Sequence, residues 1–168
     1  RCAKYDDRSK IPDKLFQHIV EFNQDPNHII SVHNQETKSE NEMVVSQSGD
    51  LAEVMLKKGF DFKDFSFPGD SALESTLLRS DKNHNILLIH NTFSKESDIE
   101  TAENFSNHIY WVFCPLSNLY IENTLPDIPL FFYKQLKTCL GTDSYASNTE
   151  LSILSEIKAI AKHYPEIP

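Results

Sequence analysis

The sequence predicts an α/β fold built on parallel strands, and three observations carry that prediction. Four short runs are continuously apolar, not alternating, which suits strands covered on both faces. Stretches with a 3.6-residue apolar period lie around them. The order is one helix and then strand and helix repeated four times, the pattern of a parallel sheet with crossover helices.

Taken along the chain, Leu15, Phe16, Ile19 and Val20 share one face of a helix ahead of the first strand. That strand spans 29–32, between Asn27-His28 and His33. An excursion over 50–81 follows, with helical runs at 51–58 and 71–79 around an aromatic turn at 60–69. Phe60, Phe62, Phe65 and Phe67 in that turn read as packing residues, not as a wall for stacking a substrate. The second strand spans 86–89. Ile99, Ala102 and Phe105 form the helix after it, with Ser94 as N-cap and Glu96 and Asp98 in the first turn. The third and fourth strands span 109–113 and 138–140. Leu151, Leu154, Ile157 or Lys158, and Ala161 form the stripe of the last helix, opened by the capping box Ser147-x-x-Glu150.

Composition narrows the function classes. Against 16 Lys+Arg stand 25 Asp+Glu, a formal charge of −9, which argues against nucleic acid and anionic membranes as partners. No apolar run approaches the roughly 20 residues that span a bilayer, and no signal segment opens the chain. The four glycines form no phosphate-cradling motif. Three cysteines without a C-x-x-C pair point to a reducing, cytoplasmic setting without a disulfide framework. The length of 168 residues fits one domain, 1–168, and the first residue, Arg1, suggests a piece processed or excised from something longer.

In parallel α/β folds chemistry gathers at the carboxyl ends of the strands. Those ends read His33-Asn34-Gln35-Glu36, His90-Asn91-Thr92, Cys114-Pro115-Leu116-Ser117-Asn118 and Gly141-Thr142-Asp143-Ser144. Two histidines and an aspartate from three strands thus share one rim, a donor set suited to zinc or a related divalent ion. A lone histidine at a strand end is more often a hydrogen-bonded rim residue; the convergence of three groups is what favours a metal. His28, His84 and His108 lie at the opposite ends of the strands and carry no function on this reading. Glu36 could move protons for a water at such an ion, although alone it reads as a surface acid in the company of Glu40 and Glu42. From His33 to His90, His90 to Cys114 and Cys114 to Asp143 the spacings are 57, 24 and 29 residues, and the last two fit the roughly 31 residues per unit of an eight-unit barrel.

The set His33-x-x-Glu36, His90, Pro115-x-Ser117-Asn118 and Leu140-Gly141-Thr142-Asp143-Ser144-x-Ala146-Ser147-Asn148 resembles the metal-dependent amidohydrolase superfamily. Its aminohydrolase and chlorohydrolase branch, with methylthioadenosine/S-adenosylhomocysteine deaminases, is the part it is most similar to. The resemblance implies a (β/α)8 TIM-type barrel of which this chain is the C-terminal half, four βα units. It implies His33 and Asp143 as metal ligands, and Glu36 as general acid/base. It implies His90 as a ligand or as the group that holds the attacking water, and Asp143 as acceptor of that water's proton. Ser117 and Asn118 would lie near the substrate. The cofactor implied is Zn2+, or another divalent first-row ion such as Fe2+, and the chemistry is hydrolytic deamination of a small cyclic substrate.

Two departures accompany the likeness. The family's H-x-H is absent, since no two histidines here stand two apart, and Cys114 stands where relatives often carry a histidine. The expectation is therefore half an active site, with weak metal binding and no turnover by the chain alone, and the missing N-terminal barrel half as its partner. The competing expectation is a non-catalytic half-barrel module with a vestigial site, whose open edges close by forming a homodimer.

Overall fold

A computed structural model of the chain describes residues 3–5, 12–23, 25 and 27–167. The elements in order are β1 (Ala3–Tyr5), α1 (Asp13–Phe22), β2 (Ile29–Asn34), α2 (Lys38–Ser46), α3 (Gly49–Lys57) and α4 (Ala72–Leu78). They continue with β3 (Asn85–His90), α5 (Glu96–Phe105), β4 (Ile109–Phe113), α6 (Pro115–Glu122), α7 (Ile128–Tyr133), β5 (Thr138–Leu140) and α8 (Ile153–His163). All four expected strands are present as β2 to β5. A fifth, β1, pairs in parallel with β2 and was not expected from its polar three-residue sequence.

The sheet order is β1-β2-β3-β4-β5, every pair parallel. Each strand is added beside its predecessor with no reversal of direction across the sheet. Crossovers of one hand then place the helices on one face, which is the winding of a barrel sector; a doubly wound sheet would reverse at a switch point.

Burial along the strands shows the same asymmetry. Ile30, Val32, Ile86, Leu88, Ile109, Trp111 and Phe113 are buried on the helix-covered face. There the strands meet Leu73 and Leu77 of α4, Ile99 and Ala102 of α5, and Phe131 of α7. The Phe131 ring lies 4.9 Å from Trp111 and 5.0 Å from Phe113, edge-on to both. On the opposite face the register aligns Ser31, Leu87 and Tyr110 in one row and His33, Ile89, Val112 and Cys139 in the next. Of these only Val112 is buried; the rest are half-buried or exposed, as an inner barrel wall is when little faces it.

The excursion after β2 packs by itself. Met43, Val44, Ala52, Met55, Phe65 and Ala72 form a second cluster with Phe62 and Phe67 against it, so these phenylalanines do pack. Phe65 and Phe67 stack with ring centroids 6.0 Å apart.

Three local expectations are corrected. The last helix begins at Ile153, not at Ser147, and its N-cap is Ser152, which accepts from the Ser155 N–H. Ser147 is drawn away because its hydroxyl donates to Asp143 instead. Helix α5 begins one residue later than expected, with Lys95 as N-cap, because the Ser94 hydroxyl is taken by the Gln35 side chain. Glu40 is not a surface acid: it lies buried in the first turn of α2, where its carboxylate accepts from the backbone N–H groups of Gln35 and Glu36, each at 2.9 Å. Among the described residues no helix is long and apolar enough to cross a membrane.

Candidate metal centre

Three strand ends bring His33, His90 and Asp143 together, with one donor atom of each within 4.8 Å of the others. His33 lies in the inner row of β2. By alternation His90 belongs with Ile86 and Leu88 on the outer row, yet its φ of +77° breaks the pleat, and its ring lies 5.1 Å from that of His33. Asp143 follows β5 with a φ of +55°. Gln35 and Asn91, next to the other two strand ends, also have positive φ (47° and 56°). Non-glycine residues rarely adopt this region, each at a cost of about 1–3 kcal/mol, and such strain collects at functional sites.

Buried hydrogen bonds hold these turns. The Asn91 amide donates to the Leu88 carbonyl (2.8 Å) and accepts from Asn34 (3.1 Å), tying the ends of β2 and β3. The two Glu40 bonds fix the turn between His33 and Glu36. Asp98 accepts from the Gln35 side chain at 3.1 Å and from the Ser71 hydroxyl at 2.6 Å, which anchors that turn to α4 and α5. At the other end, fully buried Glu156 of α8 accepts from the Leu116 N–H and from Asn148, both at 2.8 Å. Asn148 also donates to the Thr142 carbonyl at 2.9 Å, beside Asp143. Gly141 lies close to its neighbours: a Cβ there would sit 3.2 Å from the Cys114 sulfur and 3.3 Å from Val112, tight contacts that both side chains would have to yield to.

Of the remaining residues singled out from the sequence, Glu36 places a carboxylate oxygen 3.5 Å from His90 Nε2. Ser117 and Asn118 are both fully buried in α6. The Ser117 hydroxyl donates to Asp143 Oδ2 at 2.7 Å. Asn118 Nδ2 donates to Thr92 Oγ1 at 2.6 Å and lies 3.3 Å from His90 Nδ1. Both side chains thus touch the prospective ligands from behind. Ser147, Glu40, Asn91 and Glu156 complete the surroundings; Ser147 and Asn91 lay within segments read from the sequence, whereas Glu40 and Glu156 did not.

The electrostatics favour a cation. Burial acts to raise the Asp143 carboxyl, but the hydrogen bonds from Ser147 and Ser117 and the neighbouring His90 and His33 outweigh it and hold it below its ordinary value. Cys114 behaves oppositely: burial, then the charges of Asp143 and Glu156, push its thiol up to about 12, so it is neutral at physiological pH. Two imidazoles and an ionised carboxylate fit zinc or a similar divalent ion. Donors about 2.1 Å from one tetrahedral ion stand about 3.4 Å from each other, so side chains whose donors lie within 4.8 Å must draw together by up to about 1.4 Å to close around it.

No protein-family model matches the chain. Among curated relatives, an aminodeoxyfutalosine deaminase of Nitratiruptor is 27% identical over 138 residues, 82% of this chain and 31% of that protein. A 5-methylthioadenosine/S-adenosylhomocysteine deaminase of Saccharophagus degradans is 37% identical over 70 residues, 42% of this chain and 15% of that protein. Among solved structures, Helicobacter pylori aminofutalosine deaminase in complex with methylthio-coformycin superposes with a TM-score of 0.70 at 21% identity, over 93% of this chain and 36% of that one. A Xanthomonas campestris adenosine deaminase with bound zinc gives 0.66 at 20% identity, over 94% and 31%. The structural likeness shows the fold, a partial TIM-type barrel. The resemblance to the aminohydrolase branch holds, since the curated relatives are deaminases. The chain spans about a third of the length of the first of them.

Proposed function

We propose that this chain carries the C-terminal half of the site of a metal-dependent aminohydrolase, acting on the C–N bond of a small purine- or pyrimidine-like substrate. The observation that supports this most is the convergence of His33, His90 and Asp143 from three strand ends, in a chain similar to deaminases. His33, His90 and Asp143 would hold the ion, zinc or iron(II). Such an ion, when bound, supplies Lewis acidity and lowers the pKa of water to about 7. Asp143, ionised by its surroundings, accepts a proton from the water that adds to the sp² ring carbon. Glu36, beside His90, carries a proton to the amine, the C–N bond breaks and ammonia leaves. Buried Glu40 orients Glu36 by fixing its backbone N–H.

The sequence has no H-x-H pair, so the complete donor set needs two further histidines. We place these in a complementary N-terminal barrel half, against which the half-exposed inner row of Ser31, Leu87 and Tyr110 would close. A second reading, self-association of the chain, is favoured by the exposed apolar residues Leu151, Leu154 and Ile157 on and just before α8. Release of ammonia from 6-aminopurine nucleosides tests the first reading. The chain with zinc alone should give no turnover, and adding a barrel half that bears H-x-H should restore it. Turnover by the chain alone would contradict the half-site, and silence in the completed barrel would leave the self-associating module.

A further inference from the structure

We propose that Ser117 and Ser147 are a clamp on Asp143, positioning residues that set how its carboxylate meets a cation; this rests on the metal reading above. The two hydroxyls come from different units of the barrel, Ser117 from α6 after β4 and Ser147 from the turn after β5. Both converge on one oxygen, Oδ2. Oδ1 is thereby the oxygen left to a metal. Ser117 is fully buried and Ser147 nearly so, which removes water as a competing partner. The single O–H donor of Ser117 is given to Asp143.

The clamp answers a physical need. Asp143 stands at the end of a three-residue strand with φ +55°, a conformation that the backbone alone does not hold. The carbonyl of Thr142, just before it, is held by Asn148, and Asn148 by Glu156, so the main chain of the turn is fixed from the α8 side. Rotation of the carboxylate itself is checked by the two serines. A ligand whose outer oxygen is hydrogen-bonded in this way loses less freedom on binding a metal, and such partners are typically worth 10–100-fold in metal affinity.

Zinc affinity, measured by competition with a chromophoric chelator, tests this on the wild-type chain, Ser117→Ala, Ser147→Ala, the double variant and Ser147→Thr. Each single alanine variant should bind about tenfold more weakly and the double variant about a hundredfold, with the far-UV circular dichroism unchanged. Ser147→Thr, which keeps the hydroxyl, should restore most of the affinity. Wild-type affinity in either folded alanine variant, or a lowered melting temperature with unchanged affinity, overturns the clamp while sparing the metal reading. A wild-type chain that takes up no zinc at millimolar concentration overturns both, and the single variants serve if the double one does not fold.

Discussion

Around the rim the same low-dielectric surroundings ionise one group and neutralise another. Asp143 has hydroxyl donors and two imidazoles to offset burial, whereas Cys114 meets burial and the carboxylates of Asp143, Glu156 and Glu36 and keeps its proton. The Cys114 shift has a measurable consequence. The native thiol holds its proton up to about 12, while the unfolded thiol ionises around its ordinary value of 9.0. The stability this contributes is therefore present below pH 9 and is lost as pH rises toward 12, by about 1.4 kcal/mol per pH unit. Denaturant unfolding between pH 8 and 11 should show that slope in the wild type and a shallower one in Cys114→Ala; equal slopes would refute it. Which residues carry the site was partly legible beforehand. His33, His90 and Asp143 could be found because strand ends can be read from apolar runs, and their side chains follow directly. Glu40 and Glu156 could not. Nothing local marks an acid whose partners are backbone N–H groups, because those N–H groups are oriented only once the loops have folded.

Helix α8 shows how an element can be present and yet turned from its expected orientation. The apolar stripe of Leu151, just before the helix, and Leu154 and Ile157 within it reads as the packing face, but these side chains are about half exposed. The inward face carries buried Glu156 and Ala159, with Ile160 packed against the main core. At the edge of an open sheet, a helix has one neighbour where a closed ring would give it two. Periodicity reports that a face is apolar and not which neighbour covers it. The inward face is decided by Glu156, whose carboxylate accepts from the N-terminal turn of α6, where the helix dipole favours negative charge. Glu156→Ala leaves the Leu116 N–H and the Asn148 amide without their acceptor and should cost about 3 kcal/mol in denaturant unfolding. A loss below about 1 kcal/mol would show that α8 is held mainly by Ala159 and Ile160. The strands were more legible, because continuous apolar runs bounded by polar residues have few other uses. Strand β1 escaped because Ala3-Lys4-Tyr5 carries no continuous apolar run.

At the scale of the whole molecule, five parallel strands in unbroken sequential order form an open sector with one face covered by helices and the other half-bare. The prospective ligands stand on the rim of that sector, at the carboxyl ends of β2, β3 and β5. On the proposed function these three ends hold one divalent ion, and a complementary barrel half supplies the rest of its shell. The strained residues and the buried amides and carboxylates behind them are what hold it ready. Anomalous diffraction at the zinc edge, from crystals of the chain grown with zinc, tests this most directly. One strong peak is expected, about 2.0–2.2 Å from a nitrogen of His33, a nitrogen of His90 and an oxygen of Asp143. A peak placed on other residues, or no peak between these three at saturating zinc, would contradict it.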